Sequence, residues 1–237
     1  MEAVDRANSE IFAQIVYSGG SLGYYSLLIV HKDSPIQSLD DIIKNGKSYT
    51  FGNGDPNSTS GFLVPAYYVF ALNKMDPKTH FKSVRNASNG VNIQAVLNKQ
   101  VDVATNNTEE MEKLEMTKPE ALQQLRVIWK SPLIPNDPLV WRKDLSPELK
   151  KKVRDFVLAY GTGADAARER AIMLKITTAG FQASDDRQLL PIRQLELFKD
   201  KTKIENDTAM SAADKTAKLE EINRKLAQLN TQLAASK

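Results

Sequence analysis

Ser58, Thr59 and Ser60 place three hydroxyls in consecutive positions, directly after the turn-rich run Gly52-Asn53-Gly54-Asp55-Pro56. Hydroxyls in a row donate hydrogen bonds to an oxyanion without adding charge. Tyr49-Thr50-Phe51 before them is β-prone, and Phe62-Leu63-Val64 and Tyr67-Tyr68-Val69-Phe70 after them recur at roughly helical spacing. The order reads as strand, tight turn, helix start. The first N–H groups of a helix lack partners inside it and carry the positive end of the macrodipole, so the spot favours an anion. Gly61 keeps one side open. The same residue types are also the ordinary caps of any helix, so the pattern alone admits both readings. No lysine follows the glycines, which excludes a nucleotide-binding P-loop. Pro65 is tolerated only in a first helical turn, so the regular helix is expected to begin later than Ser58 or to kink.

Other chemistries find little support. His31 and His80 are the only histidines and lie far apart, and cysteine is absent, so no metal or cofactor is expected. A hydrolase pairing Ser58 or Ser60 with His80 lacks a Gly-x-Ser-x-Gly elbow, and Asp76-Pro77-Lys78-Thr79-His80 puts the histidine in a loop. These residues therefore give no support for an enzyme. Its net charge of +3, from 32 basic and 29 acidic residues, is too balanced for nucleic acid, and no basic cluster is interleaved with aromatics. No apolar run approaches the ~20 residues of a membrane span. A length of 237 residues with 41% hydrophobic and 26% charged content suits a soluble protein of two ordinary lobes or one large domain.

The elements that must hold the hydroxyl run lie on both sides of it in the chain. Phe12 to Tyr17 reads as a strand, ended by Ser18-Gly19-Gly20-Ser21, and Tyr24 to Val30 as a second strand buried on both faces. Ser38-Leu39-Asp40-Asp41-Ile42-Ile43 starts a short helix with its acids in the first turn. After the central stretch, Val91 to Leu97 is helical. Gln100 to Ala104 is a short strand, Thr105-Asn106-Asn107-Thr108 a loop, and a helix follows from Glu109 to Leu114. Leu125 to Trp129 is a strand, Ser131 to Pro138 a proline-rich crossing, and Val140-Trp141-Arg142 resumes strand character. Pro147 to Tyr160 makes a helix with Val153, Phe156 and Val157 on one face. The stretch to Lys199 reads as irregular α, with Phe181, Leu190, Ile192 and Leu197 as core candidates. Alternating strands and helices argue for parallel α/β sheets.

The two ends differ from the middle. Met1-Glu2-Ala3-Val4-Asp5-Arg6-Ala7-Asn8 resembles the middle of an amphipathic helix, without a signal peptide or a lead-in strand. Near the other end Leu219, Ile222, Leu226, Leu229 and Leu233 alternate steps of three and four, a coiled-coil stripe that follows the capping-box-like Ser211-Ala212-Ala213-Asp214. Such a short stripe must dock, either on its own lobe or against a second subunit in a homodimer.

With these pieces laid out, the chain resembles the solute-binding protein of bacterial phosphonate ABC importers, a class II periplasmic binding protein. The resemblance is carried by Met1 to Asn8, Phe51 to Pro65, Asn98 to Glu109, Ile128 to Pro135 and Pro191 to Leu195, and it runs over essentially the whole chain. The family's beginning has no counterpart here. The implied fold is α/β with two lobes, joined by crossings near His31-Lys32 and Pro135-Pro138. Residues 1–32 and 138–207 would form an incomplete first lobe, 33–137 a complete second lobe, and 208–237 a C-terminal amphipathic helix.

The resemblance also implies a ligand set. Ser58, Thr59 and Ser60 match the hydroxyls that bind the phosphonate oxygens, and Tyr24, Glu109 and Asp137 match the groups around the ligand's ammonium end. Carboxylates and an aromatic face suit a primary ammonium, although from the residues alone Glu109 reads as a helix N-terminal acid and Asp137 as a turn residue. Asn89 stands where the family has a histidine on the phosphonate. Its amide donates a hydrogen bond but cannot be protonated. Arg85 lies near enough in sequence to compensate, and also reads as a solvated surface arginine. The implied function is the periplasmic binding of an alkylphosphonate such as 2-aminoethylphosphonate for a membrane permease. The alternatives are phosphate, phosphite or a plain alkylphosphonate as ligand, or a truncated remnant that binds none.

Overall fold

The computed structural model describes residues 1–17, 20, 21, 23–205 and 207–235, with the side chain of Glu2 excepted; Ser18 and Gly19 of the expected turn Ser18-Gly19-Gly20-Ser21 lie outside this range. In chain order the principal elements are α1 (Glu2–Arg6), β1 (Ser9–Tyr17), β2 (Ser26–His31), α2 (Leu39–Asn45) and β3 (Thr50–Asn53). Next come a helix of π type, in two pieces (Thr59–Leu63 and Ala66–Ala71), then β4 (Ser83–Asn86), α3 (Asn89–Leu97), β5 (Val103–Asn107), α4 (Thr108–Thr117) and β6 (Leu125–Lys130). The chain continues through β7 (Pro138–Arg142), α5 (Pro147–Ala159), α6 (Ala166–Leu174), β8 (Thr178–Ala183), α7 (Leu190–Glu205) and α8 (Ala212–Ala235).

The chain divides into two compact units. The first takes Met1–Tyr24, Pro135–Pro191 and the chain from Gln232; the second takes Tyr25–Ile134 and Ile192–Thr231. From sequence, residues 25–32 and 192–207 are expected in the first lobe and 135–137 in the second, with 208–237 by themselves; Tyr25–Lys32 lie instead in the second unit and Pro135–Asp137 in the first, and the stretch from Ile192 differs as well. In the structure this stretch packs into the second unit, where the Phe198 ring stacks on Tyr67 with centroids 5.6 Å apart. α7 and α8 are tied to each other by Gln194–Asn230 and Lys201–Asn223 side-chain bonds of 2.7 and 2.9 Å. Ile222 and Leu226, the centre of the leucine stripe, are buried within the chain. The centre of the stripe thus packs within the second unit.

In the first unit the sheet order is β8-β1-β7, antiparallel throughout. Phe12 and Trp141 stack face to face at 4.1 Å over this sheet, with Val153 and Val157 of α5 against them. Phe156, expected on the same face, is 66% exposed and meets Tyr160 instead. β8 was read as irregular; with Gly180 and alternating polar residues it carries little strand signal of its own, and pairing with β1 sets it.

In the second unit the order is β4-β3-β5-β2-β6. β3 runs parallel to β4 and β5, while β2 is antiparallel to β5 and β6, so the expectation of parallel sheets holds only for the strands joined through helices. β2 is apolar on both faces. Leu28 and Val30 enter a core with Phe51, Val69, Phe70 and Phe81, and Leu27 and Ile29 enter another with Ile93, Val96 and Leu114. That two-sided burial follows from period-two alternation in a strand covered by helices on both sides.

A cradle of helix starts

The turn after β3 is closed by a contact that tolerates no side chain. The Gly54 N–H donates to the Gly61 carbonyl at 3.0 Å, and a Cβ on Gly54 would lie 2.3 Å from the Gly61 backbone. Ser58 is the cap of the π-type helix, its hydroxyl accepting from the Gly61 N–H at 2.9 Å. The hydrogen bonds that follow skip a residue: Leu63 N–H reaches the Ser58 carbonyl at 3.1 Å, and Val64 N–H reaches that of Thr59. In this pattern the donor for the Ser60 carbonyl would be the nitrogen of Pro65, which has no hydrogen. Ser26 Oγ donates to that carbonyl instead, at 2.6 Å. The kink expected from Pro65 is thus realised as a stretch of wide helix, with the orphaned acceptor satisfied from β2.

Ser60 is buried, and its hydroxyl accepts from Asn107 Nδ2 at 3.1 Å, which leaves its own hydrogen to donate. Asn107 Oδ1 meanwhile accepts from the Glu110 N–H at 2.8 Å and so caps α4. One asparagine therefore fixes the hydroxyl run relative to the start of α4. Its neighbour Asn106 donates from Nδ2 to the Asn89 carbonyl at 3.0 Å and accepts from the Asn107 N–H at 2.9 Å, fixing the start of α3 in the same way. The sequence reading placed these asparagines in a loop. They are the buried end of β5, a polar strand end that is stable because its side chains are consumed by the helix starts around it.

A depression of about 390 Å³ opens on these ends, lined by Asp55, Ser58, Ser88, Asn89, Gly90 and Glu110. Three helix N-termini supply its wall: the Ser58 cap, the Ser88 cap of α3 with Asn89 and Gly90 of its first turn, and the first turn of α4 at Glu110. Such ends present unpaired N–H groups and the positive pole of each helix. A Cβ on Gly61 would lie 2.9 Å from Ser58 Oγ and 3.1 Å from Asn89 Oδ1, so these two side chains flank the same glycine.

Of the residues expected from sequence, the depression brings Ser58 and Asn89 together. Thr59 and Ser60 lie next to it in the same helix turn, Ser60 underneath with Asn107. Glu109 is half-buried at the start of α4, next to the lining residue Glu110. Arg85 is exposed on the edge strand β4 and does not line the depression. Asp55, Ser88, Glu110, Asn106 and Asn107 were missed; the Asn106-Asn107 pair next to a helix start was the available signal. His80 is far from any catalytic role with Ser58 or Ser60, since its Nε2 is bonded to the Ile42 carbonyl at 2.8 Å.

Tyr24 and Asp137 belong to the first unit. Tyr24 is buried and meets Tyr17 edge to face, centroids 6.0 Å apart. The Tyr17 hydroxyl donates to Asp137 Oδ2 at 3.2 Å. Asp137 is held by its main chain, its carbonyl accepting from the Ile15 N–H at 3.0 Å, and by Asn136, whose Nδ2 donates to the Ile15 and Ser21 carbonyls at 2.7 and 2.8 Å. The Asp137 side chain stays accessible to water, but crowding protein atoms thin its hydration and push its carboxyl above the ordinary aspartate range. The bond from Tyr17 pulls the other way and is the smaller effect.

Among the described residues there is no cluster of histidine, cysteine or carboxylates suited to a metal, and no helix long and apolar enough to cross a membrane. The family described as "ABC transporter, phosphonate, periplasmic substrate-binding protein" matches residues 1–189. The chain is 54% identical over 230 residues to the phosphonates-binding periplasmic protein of Escherichia coli (strain K12), covering 97% of this chain and 67% of that one. The structure superposes with a TM-score of 0.93 and 58% identity on a binding protein component of an ABC phosphonate transporter from Pseudomonas aeruginosa, covering 100% of this chain and 77% of that one. A protein from Prochlorococcus marinus (MIT 9301), solved in complex with methylphosphonate, shares the fold at a TM-score of 0.67 and 21% identity, covering 81% and 72%. Family, relatives and the class II fold coincide: the chain belongs to the periplasmic substrate-binding proteins of phosphonate ABC transporters, which bind solutes and are not enzymes.

Proposed function

We propose that this chain binds an alkylphosphonate with a cationic end, of which 2-aminoethylphosphonate is the type, and presents it to a membrane permease. The observation that carries the reading is the pair Ser58 and Asn89 against the same face of Gly61, at helix starts opening on one depression. Neutral donors and helix poles hold the phosphonate there. Thr59 and Ser60 add their hydroxyls, with Ser60 oriented by Asn107. Tyr24, Glu109 and Asp137 take the ammonium by the family resemblance. The relatives named for phosphonate support the ligand class. Each charge-assisted bond contributes about 1.5–3 kcal/mol, so several together reach micromolar binding, about −8 kcal/mol, after the cost of association.

The test is calorimetric titration of the folded chain with 2-aminoethylphosphonate, methylphosphonate, phosphite and phosphate, repeated with Glu109→Ala. The reading expects the first ligand to bind tightest and Glu109→Ala to weaken it roughly ten- to hundredfold while barely touching methylphosphonate. Equal losses for both ligands remove Glu109 from the ammonium role. Tightest binding of phosphate or phosphite moves the assignment to a plain oxyanion.

A further inference from the structure

The depression in the second unit holds two carboxylates, Asp55 and Glu110, and no basic side chain lines it. This is an odd lining for an anion. Asp55 is tied to the hydroxyl run, its carbonyl accepting from the Ser58 N–H at 2.8 Å, while its Oδ1 accepts from the Asn57 N–H at 2.8 Å. Glu110 Oε1 stands 3.4 Å from where a Cβ on Gly90 would be, so its carboxylate lies against the first turn of α3, next to Asn89. The charged group facing it is Lys113 on its own helix, 3.7 Å away and 61% exposed, too loose and too wet to neutralise it. The other elements at the depression bring Ser58, Ser88, Asn89 and Gly90, all uncharged.

Carboxylates only accept hydrogen bonds. A fully deprotonated oxyanion beside them offers acceptor against acceptor and like charge against like. A singly protonated one is different: its P–OH donates to a carboxylate, a short charge-assisted bond, while its bare oxygens take the hydroxyls, the Asn89 amide and the helix N–H groups. We infer that Asp55 and Glu110 are specificity-determining residues that read a proton on the ligand, so that the depression accepts a phosphonate monoanion and rejects sulfonates and dianions. The inference rests on the proposed placement of the phosphonate at Ser58 and Asn89.

The experiment titrates the full chain calorimetrically with methylphosphonate and with methanesulfonate. Both carry a methyl group and a tetrahedral oxyanion, and only the first holds a proton near neutral pH. Neither has an ammonium, so Tyr24, Glu109 and Asp137 are not engaged. The wild type is expected to prefer methylphosphonate by at least about a hundredfold. Its affinity should fall by about tenfold for each pH unit above the second ionisation of the ligand. Glu110→Gln and Asp55→Asn keep acceptor oxygens for local structure but add an N–H donor, so each should narrow the preference roughly tenfold and the double variant should flatten the pH profile. Circular dichroism of each variant establishes that it is folded. Methylphosphonate binding with unchanged preference and pH profile in both folded variants overturns the inference and leaves the proposed function standing. A wild type that binds 2-aminoethylphosphonate but shows no preference between the two methyl ligands overturns it as well. Silence toward every phosphonate overturns the proposed function and this inference with it.

Discussion

Ser26 Oγ lies 2.6 Å from the Ser60 carbonyl and donates to it, in a place where both residues are buried. The bond does the work that the nitrogen of Pro65 cannot, and it anchors the first turn of the wide helix to the central strand β2. Ser26→Ala leaves a buried carbonyl unpaired and is expected to cost about 1–3 kcal/mol of stability by urea unfolding. Adding Pro65→Ala supplies an N–H to the same carbonyl and should recover part of that loss. A Ser26→Ala midpoint equal to the wild type would show that another donor already serves Ser60.

Asn107 separates two roles that one substitution usually confounds. Asn107→Asp keeps the oxygen that caps α4 but loses the N–H that holds the Ser60 hydroxyl. Stability should stay within about 0.5 kcal/mol of the wild type, because aspartate caps as well as asparagine. Phosphonate affinity should nevertheless drop about tenfold, as Ser60 loses its orientation and a negative charge enters beside the anion. Asn107→Ala should lose both. Calorimetry and urea unfolding on the same samples separate the two effects, and an affinity unchanged in Asn107→Asp would end the orienting role.

On the proposed function, Asp137 is a place where binding and stability pull apart. Its carboxyl is raised by crowding, so the folded state holds the proton more tightly than the unfolded one. The associated stability is complete below the ordinary aspartate value and is lost as pH rises through the folded value. At neutral pH Asp137→Asn should therefore melt above the wild type, with the gap closing in acid. The same change should weaken 2-aminoethylphosphonate by roughly tenfold or more and leave methylphosphonate alone. A variant that melts lower at neutral pH and equally in acid would contradict the raised carboxyl.

Glu10 has the opposite sign. The Lys150 ammonium at 2.9 Å and the Trp141 indole N–H at 2.8 Å hold its carboxyl below the ordinary glutamate range. That stabilisation is present above the ordinary glutamate value and fades as pH falls through the folded one. The Glu10 side chain is 35% exposed, so Glu10→Gln should cost no more than about 1 kcal/mol at neutral pH, less in high salt. Thermal melts at neutral and acid pH should converge between the two proteins; a constant gap would assign the effect to packing on Trp141.

Much of this protein is legible in its sequence. β2 announces itself by an unbroken apolar run, α2 by its serine and acids, and the leucine stripe of α8 by its spacing, because each of these signals is local and repeats within one element. The hydroxyl run Ser58-Thr59-Ser60 is legible for the same reason: residue types suited to an oxyanion stand in consecutive positions.

What only the tertiary structure decided is non-local. Asn106 and Asn107 look like loop residues until β5 carries them beneath two helix starts, where their amides are spent on Asn89, Ser60 and Glu110. Pro65 signals a broken helix, but nothing near it in sequence reveals that Ser26 would satisfy the carbonyl it orphans. Phe156 reads as core on periodicity and is solvent-facing, because the partner surface that would bury it is set by packing and not by helical spacing. Asp55, Ser88 and Glu110 are ordinary turn and cap residues one at a time; only the folding of three separate helix N-termini onto one depression brings them together. The residue types and the spacing within each element are properties of the chain. Which donor meets which acceptor across dozens of residues is a property of the packed sheet, and the site is made of those meetings.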